Sequence, residues 1–232
     1  MEFRKSTLLF ICVLLTLLLF LETGTLWHTI KGTWTNHSTE LGNFKWMALG
    51  VILFMAIRYM IMRLHWPCRK GTGKANLEAM ETFTHEFTHQ IVALFLGRRL
   101  HSFHSEQYSG MVYTSGNENT HLPVALAPYC LPWLTLIFVV ARVMIKSEWI
   151  WLYDIVIGLS AGFHGMCFYK DTSSKQPDIN QYPLYFSFLY IVSFLVLNIL
   201  ITIISIGKDY DIVDTGLYIL NDFWETISSI FN

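Results

Sequence analysis

The chain has 232 residues, 53% of them hydrophobic and 14% charged, with a formal net charge of −1. Soluble domains carry about 25% charged residues, so the shortfall points to a membrane protein, and the near-neutral balance gives no basis for nucleic-acid binding. Cys12, Cys68, Cys130 and Cys167 form no C-x-x-C pair and three of them sit in apolar runs, which argues against a disulfide framework and against a cysteine zinc site.

A helix crosses a bilayer with roughly 20 mostly apolar residues. In chain order the candidate runs cover residues 6–21, 46–62, 80–96, 122–145, 149–169 and 183–206. The first follows Arg4 and Lys5 as a signal peptide would, but Glu22-Thr23-Gly24-Thr25 makes a poor cleavage site, so it is read as a retained helix. Arg63, Arg69, Lys70 and Lys74, with a turn at Gly71-Thr72-Gly73, separate the second run from the third. The third run has a first half too polar to face lipid and is expected to be enclosed by its neighbours.

Leu100 to His104 alternates apolar and polar residues, as does Met111 to Thr114, with Ser109-Gly110 between them. That pattern predicts two short strands joined by a turn. Pro123, Pro128 and Pro132 interrupt the fourth run, and a broken helix is tolerated in a membrane only where neighbours or a cavity satisfy the freed backbone groups. From Tyr210 onward, Val213, Leu217, Leu220, Trp224, Ile227 and Phe231 recur at four- and three-residue steps, opposite Asp214, Asp222 and Glu225. This is an amphipathic helix expected to pack on the membrane domain or lie at its surface. The fold expected is an all-α, multi-pass integral membrane bundle of about six transmembrane helices with a short β-hairpin after the third. Residues 1–208 make the membrane domain and 209–232 the C-terminal acidic helix.

Chemistry concentrates at His85-Glu86-Phe87-Thr88-His89. Two histidines four residues apart lie on one helix face and reach one metal ion, while the adjacent glutamate can hold and deprotonate a water. The competing reading is a metal-free buried hydrogen-bond cluster, but ionisable groups inside a membrane are costly and usually functional. Catalytic zinc takes three protein ligands. For the third, Asp178 stands just before the last apolar run, where a carboxylate would enter the protein at a helix start. Asp171 lies in a polar stretch and reads as a solvated charge. Asp154, flanked by Trp151, Leu152, Tyr153 and Ile155, would pair with a histidine or arginine in the bundle or sit near the interface. His164 is an intramembrane histidine of the kind that more often makes a polar contact than a ligand, and Glu106 and Glu118 rank lower.

The string from His85 to Arg99 resembles the motif helix of site-2-protease-like intramembrane metallopeptidases. In that family H-E-x-x-H precedes a short apolar stretch, a glycine with basic residues, and a strand-forming segment like Ser109-Gly110-Met111-Val112. The likeness covers residues 80–116 and, more loosely, 158–190, with Ile179 standing where the family carries glycine. It implies one zinc ion held by His85, His89 and Asp178, with Glu86 as general base; His164 and Asp154, from their place in apolar runs, are expected as possible support. Gly110, Met111 and Val112 would bind substrate, a membrane protein whose unwound segment adds as a strand. The rival expectations are an inactive homologue with a regulatory or scaffolding role, and a metal transporter using His85, His89, His101, His104 and His164 as a relay.

Overall fold

The computed structural model describes residues 5–35, 40–63, 72–106, 110–116, 121–207 and 212–231. Cys68, Arg69, Lys70, Gly71, Ser109 and Glu118 lie outside them. The described chain is mostly helical: α1 (Lys5–Thr35), α2 (Glu40–Arg63), α3 (Thr72–Phe95), β1 (Arg99–Ser105), β2 (Gly110–Ser115), α4 (His121–Leu126), α5 (Trp133–Ala141), α6 (Ile150–Asp171), α7 (Pro177–Asn180), α8 (Leu184–Gly207) and α9 (Ile212–Phe231).

Among the described residues, four helices are long and apolar enough to cross a membrane, over Thr7–Thr29, Phe44–Arg63, Ser147–Asp171 and Leu184–Gly207. A fifth crossing is available if His121–Tyr129 and Trp133–Met144, bent by 81°, act as one. The proline-rich run is therefore two short helices set at a sharp angle, the broken helix that its prolines predict. Pro128 sits in a 3-10 turn after α4, and Pro132 directly precedes α5. Neither ring nitrogen can donate to a preceding carbonyl, so the helix ladder fails twice within a few residues. Asn198 on α8 repairs part of the break by donating to the Cys130 carbonyl at 3.0 Å. Two other expectations change. Thr72 and Gly73 open α3 and do not turn, and α1 continues well past Leu21 because Glu22 and Thr25 are fully buried within the fold.

Close helix packing depends on small residues in one case. On α2 and α6, a Cβ added to Gly158 would lie 2.9 Å from the Gly50 Cα, so only paired glycines allow this approach. α1 and α8 lie side by side, with the Ser193 hydroxyl donating to the Leu15 carbonyl. Between them a core of Leu15, Leu122, Leu126, Tyr129, Ile179 and Phe186 ties α1, α4, α7 and α8 together. This core positions α7. Ile179 is wholly buried in it, and Ser187 donates to the Ile179 carbonyl at 2.8 Å. The neighbouring Asp178 is thereby turned out of the core.

α3 ends at Phe95 and the chain turns at Gly97, whose φ of 69° lies in the left-handed region that glycine alone adopts without strain. The amides of Gly97 and Arg98 bond back to the carbonyls of Leu94 and Ala93, and the chain reverses into β1. β1 and β2 pair antiparallel, with Phe103 opposite Val112, His104 opposite Met111, and an irregularity between Leu100 and Ser102.

α9 packs on the bundle by the side opposite to the one its apolar stripe suggests. Asp222 accepts from Thr25 and contacts His28, Thr215 bonds Ser205, and Ile219 joins Leu200 and Ile204 in a small core. Val213, Leu217, Leu220 and Trp224 are each more than half exposed.

Candidate metal centre

α3 places His85 and His89 one turn apart, with ring centroids 5.1 Å from each other. The rotation of the helix is set one turn earlier. Glu81, almost fully buried, is ion-paired with Arg58 on α2 and with Lys170 on α6, the latter at 2.8 Å. The next residue of α6, Asp171, reaches His85. Consecutive residues at the end of α6 thus grip α3 at positions four apart.

Both imidazoles are oriented through Nδ1. His85 Nδ1 lies 3.2 Å from Asp171 Oδ2, and His89 Nδ1 lies 2.7 Å from the Val124 carbonyl. A carbonyl only accepts, so His89 carries a proton on Nδ1 and turns Nε2 towards the cleft as the nitrogen available to a metal. The Val124 carbonyl is free for this because its helical donor four residues on would be Pro128, which has no N–H. One proline therefore both breaks the helix and frees the acceptor that sets the tautomer of His89. A carboxylate at His85 Nδ1 has the same effect, and partners of this kind fix ring orientation and raise ligand basicity in metal sites.

The two Nε2 atoms face Asp178. Its Oδ2 lies 3.4 Å from His89 Nε2 and 4.0 Å from His85 Nε2. One ligand atom from each of the three residues lies within 4.8 Å of the others, the only such group among the described residues. Nitrogen and oxygen ligands at 2.0–2.2 Å from a tetrahedral zinc stand roughly 3.3 Å apart. The donor set, two imidazoles and a carboxylate within this spacing, could hold a metal ion. Tyr129 donates to Asp178 Oδ2 and the Gln181 amide to Oδ1, each at 3.3 Å. Burial alone would raise the Asp178 carboxyl, but hydrogen bonds from His85 and His89 and their charge override it and hold the group well below the usual carboxylate range.

A cleft of about 720 Å³ opens over this cluster, and Glu86, Gly110, Met111, Val112 and His121 help to line it. Glu86 lies directly beneath β2. A Cβ built on Gly110 would fall 2.5 Å from Glu86 Cδ and Oε1, so any larger residue there requires the Glu86 carboxylate or the strand to move. Gly110, placed in a turn by its sequence context, is the first residue of β2.

Other sequence expectations come apart. Asp171 is the partner of His85 and not a solvated loop charge. Asp154 does pair with an arginine inside the bundle, as one reading of the sequence has it: it is fully buried and bonded to Arg142 at 2.8 Å, outside the cluster. His164 packs against Trp133, Phe163 and Phe168, leaves Nε2 without a hydrogen-bond partner, and lines a separate apolar cavity of about 530 Å³ between α6 and α8. Neither residue supports the three ligands directly. His101 bonds Ser115 across the sheet, and His104 pairs with Glu106 on the surface, so neither histidine nor Glu106 joins the cluster. Sequence reasoning missed Tyr129, whose only signal was its place between Pro128 and Pro132, and His121, which had none. No family model matches this chain, and no curated protein and no solved structure matches it.

Proposed function

We propose that this protein is a membrane-embedded zinc endopeptidase of the site-2-protease-like kind, cutting peptide segments within or beside the bilayer. The observation that carries the reading is the convergence of two Nδ1-anchored histidines on Asp178, beside Glu86, in a polar cleft of a membrane bundle. α3 is then the sixth crossing, enclosed by the neighbours that neutralise Glu81.

A zinc ion bound by His85, His89 and Asp178 supplies a Lewis acid that polarises a carbonyl and brings the pKa of water from about 15.7 towards 7. Glu86 takes the proton from the attacking water and delivers it to the leaving amine. Asp171 and the Val124 carbonyl hold the imidazoles in the tautomer that binding requires. A transmembrane substrate hides its peptide bonds in its own helix, so it must unwind before cleavage. β2 pairs with β1 on one edge, and Gly110, Met111 and Val112 line the cleft. Its other edge offers backbone groups to an extended segment, which gives affinity with little demand on sequence.

Metal analysis of purified protein tests the reading. Wild type and Glu86→Ala retain one zinc per chain, while His89→Ala and Asp178→Ala lose it. Wild-type protein that takes up no zinc overturns the proposal in favour of a non-catalytic role.

A further inference from the structure

The cleft holds a third imidazole that the ligand set does not use. His121 is the first residue of α4, and Val124 and Ala125, one turn on, line the same cleft. Its Nδ1 lies 3.1 Å from the Tyr182 hydroxyl, and it is within electrostatic reach of Asp178 and His89. Tyr182 is buried in the core that carries α7, so the contact is anchored to the same platform as Asp178.

The tautomer follows from the residue behind the tyrosine. Arg98, buried and bonded to Thr114 at 3.1 Å, places its positive charge where Tyr182 feels it. A guanidinium only donates, so the field of Arg98 favours turning the tyrosine oxygen towards it and the hydroxyl proton towards His121. Nδ1 of His121 then accepts, and the proton of the neutral ring resides on Nε2. Two other donors of the cleft are committed elsewhere: Lys170 to Glu81, and Gln181 to Asp178.

We propose that His121 is a catalytic residue whose Nε2–H donates to the scissile carbonyl oxygen as that oxygen gains negative charge, with Tyr182 as its positioning residue. The assignment rests on the peptidase reading above. Donors aimed at a developing oxyanion act mainly on kcat, because the charge they stabilise is greatest in the transition state.

The experiment compares wild type, His121→Ala, His121→Gln and Tyr182→Phe in zinc content, in kcat and KM on a fluorogenic peptide, and in calorimetric affinity for a phosphinic peptide, which mimics the tetrahedral anion. His121→Ala keeps its zinc, leaves KM within about twofold, and lowers kcat and phosphinic-peptide affinity on the order of 10²–10³-fold. His121→Gln, which retains a donor, recovers part of both. Tyr182→Phe loses about tenfold in each, since it removes orientation and not the donor. Unchanged kcat and phosphinic affinity in His121→Ala overturn the assignment, and so does zinc loss in that variant, which would make His121 a structural prop. A zinc-loaded wild type without turnover overturns the peptidase reading instead. Phosphinic affinity then still tests His121: equal binding by wild type and His121→Ala refutes its role.

Discussion

Replacing Gly110 with alanine adds one methyl group where β2 crosses Glu86. The new Cβ would sit 2.5 Å from Glu86 Cδ and Oε1, about 1 Å inside ordinary van der Waals contact. Either the strand lifts or the carboxylate swings away, since α3 is pinned at Glu81 and His85 and cannot yield. Overpacking of this kind costs about 1–3 kcal/mol. A catalytic group displaced by about 1 Å loses on the order of 10²-fold in rate. The backbone at Gly110 does not have a positive φ, so the effect is one of space and not of conformation. The expected variant therefore folds, binds zinc normally, and cleaves a peptide reporter about a hundredfold more slowly, mainly through kcat. The assay is reporter hydrolysis run beside zinc analysis and a thermal melt. Wild-type kcat in Gly110→Ala would refute the claim that this glycine sets the position of Glu86.

Four further outcomes are expected. Asp171→Asn weakens zinc affinity about 10–100-fold in chelator competition, because His85 loses the carboxylate that fixes its tautomer; equal affinity contradicts that role. Pro128→Ala supplies an N–H that competes with His89 for the Val124 carbonyl, so the same titration should read a loss of about tenfold, with helicity in this segment unchanged or higher. Val112→Pro removes a main-chain donor from β2 and abolishes cleavage while the thermal melt shows a folded protein; full activity sinks strand addition. Asp154→Ala leaves Arg142 buried without its counter-ion and destabilises the fold by about 3–5 kcal/mol, yet zinc affinity is unchanged; a loss of zinc would return Asp154 to the site.

The membrane runs were legible because spanning a bilayer is a demand on local composition, met or missed within twenty or so residues. Their ends were less so. The first run was read as ending before Glu22, whereas the helix continues because α8 and α9 bury the polar side chains beyond it. The prolines announced a break, but the 81° bend depends on how α8 satisfies the freed carbonyl of Cys130. At the site, His85, Glu86 and His89 form a helix-spaced string and needed only one dimension to be found. Asp178 is placed by the adjacent Ile179, about 100° round a one-turn helix and buried in the core, so the isoleucine that stands for the missing glycine is the anchor. Asp171 looked like a loop charge because its partner lies 86 positions away on another helix. α9 packs on the bundle as expected, but hydrophobic spacing names a face without saying what that face meets, and its apolar stripe points outward.

The most direct test of the account is mass spectrometry of a membrane-spanning reporter peptide incubated in oxygen-18 water with zinc-loaded wild type or Glu86→Ala in lipid vesicles. The account predicts two fragments from the wild type, the new C-terminal carboxylate carrying a single heavy oxygen, and an intact peptide with Glu86→Ala at equal zinc content. An intact peptide with zinc-loaded wild type, or equal cleavage by Glu86→Ala, would contradict it.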